Sequence, residues 1–441
     1  MERFAFEQLE AWRVSPVRKP LVLRGARQVG KTWLLKEFGR RSFENVAYVR
    51  LEDNAAMERL FEGSLDPQRI LRGIAAQTGE AINPHTTLVV LDEVQAVPRA
   101  LTALKYFCED APDYAVAVAG SLLGVALNAG VSFPVGKVTF MDLYPLNFRE
   151  FLLALGEGPL EKTLSAGDFS MIDVFRERYE DLLWTYYYVG GMPEAVLRYV
   201  AGTDFAGARQ AQTDILAAYQ GDFAKHAGAL VGERCRMVFD SLPRHLSKEN
   251  KKFSYGVVKK GARRRELDDA LRFLIDAGLV VKVGRVSAPG LPLGAYEDES
   301  AFKLFCVDVG LLGALAGLDS RTVLEGSEQF THFKGALAEQ YVCQQLVSEG
   351  HVVPHYWSSS TTPAEVDFVV EIHGEVVPVE VKADENLRAK SLATFCKTNG
   401  LTNAVRLSLS GFRRESWMTN VPLYAACHLA QGTIPEQGLD G

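Results

Sequence analysis

The chain has 441 residues, 47% of them hydrophobic and 23% charged, with 48 basic against 55 acidic side chains and a net charge of -7. That length exceeds a single hydrophobic core and predicts about three domains. The composition excludes a fibrous or low-complexity chain, and the acidic balance confines any nucleic-acid contact to a local basic patch.

The opening "MERFAFEQLEAWR" is charged and amphipathic and does not read as a signal peptide. Next comes "LVLRGARQVGKTWLLKEFG". Leu21 to Leu23 predict a short strand, "GARQVGKT" fits G-x-x-x-x-G-K-[ST] without a gap, and Trp33, Leu34, Leu35 and Phe38 have helical spacing. Glycines at 25 and 30 let backbone N–H groups turn inward around phosphates, and the helix N-terminus adds its positive end. The expected nucleotide contacts are Gly25, Gln28, Val29, Gly30, Lys31, Thr32 and Trp33. Lys31 should reach the β- and γ-phosphates and Thr32 should bind Mg²⁺.

"NVAYVRLED" predicts a second strand and "TLVVLDEVQ" a third, apolar from Leu88 to Leu91 and ending in Asp92 and Glu93. An all-apolar strand is buried on both faces of a parallel sheet, and acids at its carboxyl end lie at the ligand edge. Asp92 is the expected second holder of Mg²⁺, and Glu93 the expected catalytic group that polarises water. "YAVAVAGSLLGVALNAGV" is apolar but broken by Gly and Ser, so it predicts a buried strand and turn rather than a membrane span. Ser121 closes that strand where a γ-phosphate sensor would sit.

"RGARQVGKT", "LDEVQ", the strand ending "AGS" and "LYPLNFREFL" together resemble a family of prokaryotic AAA-type ATPases that carry a C-terminal nuclease-like domain. The resemblance implies ATP and Mg²⁺ as cofactors and a P-loop sheet with helices on both faces. Arginines 149, 176 and 178 are the candidates for an arginine finger, which a homo-oligomer would use.

The polar stretch "GEGPLEKTLSAGD" predicts a boundary near residue 156. Helical periodicity follows, with the aromatic run Trp184 to Tyr188 expected in the core. Further on, a helix is expected from Arg263 to Ala277, then the strand "LVVKVGRV", with "YEDESAFKLFCVD" returning as a wing. This order resembles a winged helix. Lys251, Lys252, Lys259, Lys260, Arg263, Arg264 and Arg265 cluster around it and suit the phosphates of double-stranded DNA; a winged module used only for packing, with a solvated basic face, is the alternative.

The last region holds "EVDFVVEIHGEVVPVEVKA", two strands about a turn. If His373 and Gly374 form that turn, Asp367 faces Glu380 and Glu365 faces Lys382. Opposed carboxylates repel, and a divalent cation between them would relieve the strain. This segment resembles the D…(E)xK pattern of PD-(D/E)xK nucleases, although "AEVD" stands where that family has proline-aspartate. The resemblance implies a second Mg²⁺ or Mn²⁺ held by Asp367 and Glu380, a helix acid, Glu339, as a further ligand, and Lys382 as a catalytic lysine. An outer-face ion pair of Glu365 with Lys382 is the plainer alternative. Six cysteines at 108, 235, 306, 343, 396 and 427 show no CxxC or metal-ligand spacing, which predicts reduced thiols and a cytoplasmic protein. The expected architecture is α/β: an AAA-type P-loop domain over 1–155, a helical and winged-helix middle over 156–324, and a restriction-endonuclease-like domain over 325–441. The expected function is ATP hydrolysis coupled to DNA binding or cleavage, and the rival is a nucleotide-regulated switch with an inactive nuclease-like domain.

Overall fold

The computed structural model describes residues 1–121, 123–128, 135–323, 331–350, 352–359, 361–384 and 389–435. The chain divides into two compact units: Arg3–Tyr144 with Asp276–Leu279, and Met1–Glu2 with Pro145–Ile275 and Val280–Gly441. "LYPLNFREFL" therefore straddles the division, its Leu143 and Tyr144 belonging to the first unit and the rest to the second.

The first unit is built on a parallel sheet of β1 (Leu21–Arg24), β2 (Asn45–Arg50), β3 (Thr87–Asp92), β4 (Ala115–Ala119) and β5 (Thr139–Asp142) in the order β2-β3-β4-β1-β5. Every residue of β3 and β4 is buried, which is why both read as unbroken apolar runs. Phe61, Ile70, Leu101 and Phe107, from the helices Ala55–Glu62, Pro67–Thr78 and Pro98–Asp110, share one core with Val49, Val89, Leu91 and Val118. Leu34, Leu35 and Phe38 are the buried side of the helix Lys31–Ser42. The strand order places β4 between β3 and β1, so the loop after β1 and the acids after β3 open on one carboxyl edge, on either side of the loop after β4.

The second unit carries an eight-stranded sheet. Its strands are β6 (Val280–Val286), β7 (Glu297–Cys306), β8 (His355–Ser358), β9 (Glu365–Ile372), β10 (Glu375–Val381), β11 (Ala404–Ser408), β12 (Arg413–Arg414) and β13 (Met418–Pro422). They lie in the order β12-β13-β11-β10-β9-β8-β6-β7. The expected helix is present as Arg264–Asp276, and β6 and β7 form the antiparallel pair expected of a wing. The other edge of β6, however, pairs in parallel with β8. The expected boundary at 324/325 lies outside the described residues, but the strands before and after it belong to one sheet. An unpaired edge of β6 would leave a row of backbone donors and acceptors open.

Polar side chains of the helix Thr331–Gly350 tie this unit together. Gln340 exchanges two hydrogen bonds with the backbone of Cys306, at 2.8 and 2.7 Å. Gln344 accepts from Val309 N (2.9 Å), and Gln345 accepts from Phe148 N (2.9 Å). Buried glutamines keep their places by satisfying backbone groups that water cannot reach. Of the aromatic run, Tyr186, Tyr187 and Tyr188 lie in the core as expected, while Trp184 is only half-buried. Arg149 is committed inside this unit, 2.8 Å from Glu161 and 3.5 Å from Glu349. Arg176 pairs with Glu180 and Arg178 with Glu157.

Burial, opposed by Arg149 and reinforced by Glu150, pushes the Glu349 carboxyl up from 4.5 to about 7. A group whose pKa is raised on folding stabilises the fold fully below its unfolded pKa, and that contribution is lost as pH rises through the folded value. The thermal midpoint of this unit should therefore fall between pH 4.5 and about 7, by a contribution on the order of 3 kcal/mol. Glu349→Gln should flatten that slope and raise the midpoint at about pH 8. An unchanged pH profile in the variant contradicts this role. Among the described residues, no helix is long and apolar enough to cross a membrane.

Candidate functional site

The loop between β1 and the helix Lys31–Ser42 makes a cradle of backbone. Gly25 has φ +142°, and a Cβ there would lie 2.2 Å from the carbonyl oxygen of Leu143, so only glycine fits. Gly30 caps the helix in the left-handed region at φ 97°. Arg3 holds the loop from outside, donating to Val29 O (3.1 Å) and Tyr144 O (2.6 Å). Gln28 also takes a left-handed conformation, at φ 68°. Trp33 stands on the first turn of the helix, partly exposed, with the Phe6 ring edge-on to it at 6.0 Å.

Lys31 is buried, and its ammonium donates to Gly25 O (2.8 Å) and Ala26 O (2.7 Å). Burial lowers its pKa to about 8 against the pull of Glu93 and Asp92, and Arg27 lowers it further. Two loop carbonyls thus stand in for the acceptor that a phosphate would supply. Thr32 Oγ1 donates to Asp92 Oδ2 at 2.6 Å, and the Tyr48 hydroxyl donates to the same oxygen at 3.0 Å. Burial and the neighbouring Asp92 push the Tyr48 phenol well up, which keeps it a donor. A hydroxyl and a carboxylate are thus in contact at the N-terminus of this helix, oxygen donors of the kind that Mg²⁺ takes.

Glu93 sits in the left-handed region at φ 51°, a conformation that costs a β-carbon residue on the order of 1–3 kcal/mol. Its Oε2 accepts from Gln95 Nε2 (2.6 Å) and from Ser121 Oγ (3.3 Å). The chain therefore aims the carboxylate by strain and two hydrogen bonds. Ser121 and Glu93, expected at the ends of separate strands, meet here. Gln95 and Tyr48 are participants that sequence reasoning missed. Gln95 was visible as the last letter of "LDEVQ", two residues beyond the catalytic candidate. Gly120 leaves it room, since a Cβ there would come within 2.3 Å of Gln95 Oε1.

The acids of the C-terminal hairpin meet in a second cluster, within the second unit. The turn is His373–Gly374, with φ of 51° and 77°, and Ile372 opposes Glu375 as counted from the sequence. The pairing runs to Val379 opposite Phe368, one step short of Glu380 and Asp367. Glu339 and Glu380 lie near Asp367, but the lysines pair otherwise than the plainer alternative expects. Glu365 pairs with Lys303 at 2.5 Å, and Lys382 pairs with Glu380 at 2.5 Å. Glu339 is gripped by Lys251 and lies 3.6 Å from Lys303. Asp367 Oδ2 accepts from Val381 N at 2.8 Å.

Burial, with Glu339 and Glu380 nearby, pushes the Asp367 carboxyl well above its usual range. Burial raises Glu380 too, against the pull of Lys382. Burial works in the same direction on Glu339, but Lys251 and Lys303 outweigh it and hold the group below its ordinary value. Lys303 is fully buried, yet Glu339, Glu365 and Asp367 overcome that burial and keep its ammonium protonated. Lys303 was not expected from sequence. Its signal was a single lysine in the apolar run "AFKLFCV". Among the described residues, no three His, Cys, Asp or Glu side chains are grouped to hold a metal ion.

Three family models match the chain. One described as an AAA domain covers residues 17–152, and two described as domains of unknown function cover 180–322 and 334–424. Uncharacterized proteins of Mycobacterium tuberculosis (Rv2008c) and Mycobacterium bovis (Mb2031c) are each 25% identical over 368 residues, covering 83% of this chain and 70% of theirs. Among solved structures, the Walker-type ATPase PABY2304 of Pyrococcus abyssi aligns at 16% identity and a TM-score of 0.42, covering 71% of this chain and 95% of its own. The ORC1 protein of Aeropyrum pernix, solved in complex with DNA, aligns at 13% identity and a TM-score of 0.28, covering 72% and 92%. On the matched AAA model and the residues of its glycine loop, the chain carries an AAA-type P-loop ATPase domain over residues 17–152.

Proposed function

We propose that the protein is a Mg²⁺-dependent ATP hydrolase whose nucleotide state alters the second unit. The observation that carries this reading is the contact of Thr32 with Asp92 beside a Glu93 carboxylate anchored by Gln95 and Ser121. Lys31 exchanges the carbonyls of Gly25 and Ala26 for the β- and γ-phosphates, where its charge offsets theirs. Thr32 and Asp92 would hold the Mg²⁺, which neutralises charge on the phosphates. Glu93 polarises the attacking water, and Ser121 lies close enough to the same carboxylate to report on the γ-phosphate. Release of phosphate from ATP by the full chain, with and without Mg²⁺, tests the proposal. We assign the protein to the cytoplasm. A homo-oligomer that hydrolyses ATP between subunits would have to draw its finger from elsewhere or release one of the arginines 149, 176 and 178, which are engaged within the second unit.

Contact with double-stranded DNA is the finer proposal for the second unit. Lys259, Lys260, Arg263, Arg264 and Arg265 are exposed where the chain enters the helix Arg264–Asp276, and exposed cations in a row suit phosphates. Lys251 is not among them, being committed to Glu339. Reversing Arg263, Arg264 and Arg265 to Glu should weaken DNA binding and reduce the slope of log K against log salt by about 1 for each phosphate no longer neutralised. A salt slope equal to that of the wild type excludes these residues. Metal-dependent cleavage by the C-terminal domain would require Glu339 and Glu380 to exchange lysines for a divalent ion. The ion pairs favour a nuclease-like domain that binds rather than cuts, as in a nucleotide-regulated switch.

A further inference from the structure

We propose that Lys303 is the resident cation of the C-terminal acid cluster and that, with Lys251 and Lys382, it closes this cluster to divalent metal ions. The inference stands apart from ATP hydrolysis and concerns only the second unit.

Each carboxylate expected to bind a metal already has a partner. Glu380 Oε1 holds Lys382, Glu339 Oε1 holds Lys251, and Asp367 Oδ2 holds the backbone N–H of Val381. The remaining oxygen of Glu339 faces Lys303 at 3.6 Å. Lys303 reaches this place from β7, where its neighbours Phe302 and Leu304 are buried. Its ammonium lies 2.5 Å from Glu365 and 4.9 Å from the centre of the Tyr356 ring, a face that attracts cations.

The three lysines are not equivalent. Lys382 and Lys251 retain some exposure, at 32% and 15% of their side chains, and can swing to solvent. Lys303 has none. It cannot leave the acids without carrying an unpaired charge through the core. A divalent ion entering beside it would face a fixed positive charge across a medium that screens poorly. The charges of these acids are therefore met by cations that the chain itself supplies. In this reading the cluster pins β7 to β9 and to the helix Thr331–Gly350 rather than activating water.

Manganese binding to the full chain tests this, by electron paramagnetic resonance and thermal shift. Nucleotide is left out, and Asp92→Asn removes the ligand at the ATP site, so the result is independent of hydrolysis. The Asp92→Asn protein should bind no Mn²⁺ at millimolar concentration and show no shift in midpoint. Adding Lys303→Met should lower the midpoint, take Glu365's partner away and leave Glu339 with Lys251 alone, so that Mn²⁺ now binds and restores part of the loss. Stoichiometric Mn²⁺ on Asp92→Asn that disappears when Asp367→Asn is added overturns the proposal. A folded Lys303→Met variant that still binds none overturns the assignment to Lys303. If that variant does not fold, Lys251→Met and Lys382→Met in the Asp92→Asn background replace it: both should still bind no Mn²⁺, and binding by either overturns the assignment to Lys303.

Discussion

Glu93→Gln is expected to keep its ATP and to lose turnover by about 10²–10⁴-fold, the range that a positioned acid–base group contributes. The amide matches the carboxylate in shape, so binding through the phosphate loop is untouched. It lacks the charge that polarises water. The backbone at Glu93 is held in a left-handed conformation whatever side chain it carries, and Ser121 can still donate to the amide oxygen. The loss should therefore be chemical rather than conformational. Filter binding of labelled ATP beside phosphate release separates the two: retained binding with slow release supports the role, and wild-type release removes Glu93 from catalysis.

Lys31→Ala should fail at the earlier step. Its ammonium makes two hydrogen bonds to loop carbonyls in the absence of nucleotide. Alanine leaves Gly25 O and Ala26 O without that donor and the nucleotide phosphates without a cation. A hydrogen bond to a charged group contributes up to about 3 kcal/mol, which corresponds to roughly 100-fold in affinity. The stabilisation of the P-loop unit by ATP, read as a thermal shift, should disappear with it. Affinity within a factor of about two of wild type would mean that the loop binds nucleotide through other groups. The two variants differ in kind: one empties the site and the other fills it without turnover.

The nucleotide loop was legible because its parts are contiguous. Strand, glycines, lysine and helix follow one another directly along the chain, and each glycine answers a local need of the backbone. The place of Asp92 and Glu93 at the carboxyl end of β3 was legible because an all-apolar run predicts a buried parallel strand. Gln95 was not, since its reach back to Glu93 depends on the left-handed turn at Glu93, which no pattern of letters announces. The register of the C-terminal hairpin could be counted from a two-residue turn. The partners of its acids could not, because Lys251 and Lys303 arrive from strands and loops far along the chain. The same non-locality hid the pairing of β6 with β8. A helix followed by two strands reads as a winged module until the third strand beside it is known.

The most direct measurement is phosphate release from ATP by the full chain, in Mg²⁺ and again in excess EDTA. Steady release is expected in Mg²⁺, none above background in EDTA, and none in Mg²⁺ when Asp92 is replaced by Asn. Undetectable release by the wild type in Mg²⁺, or release that survives both EDTA and Asp92→Asn, would rule out Mg²⁺-dependent hydrolysis at this site.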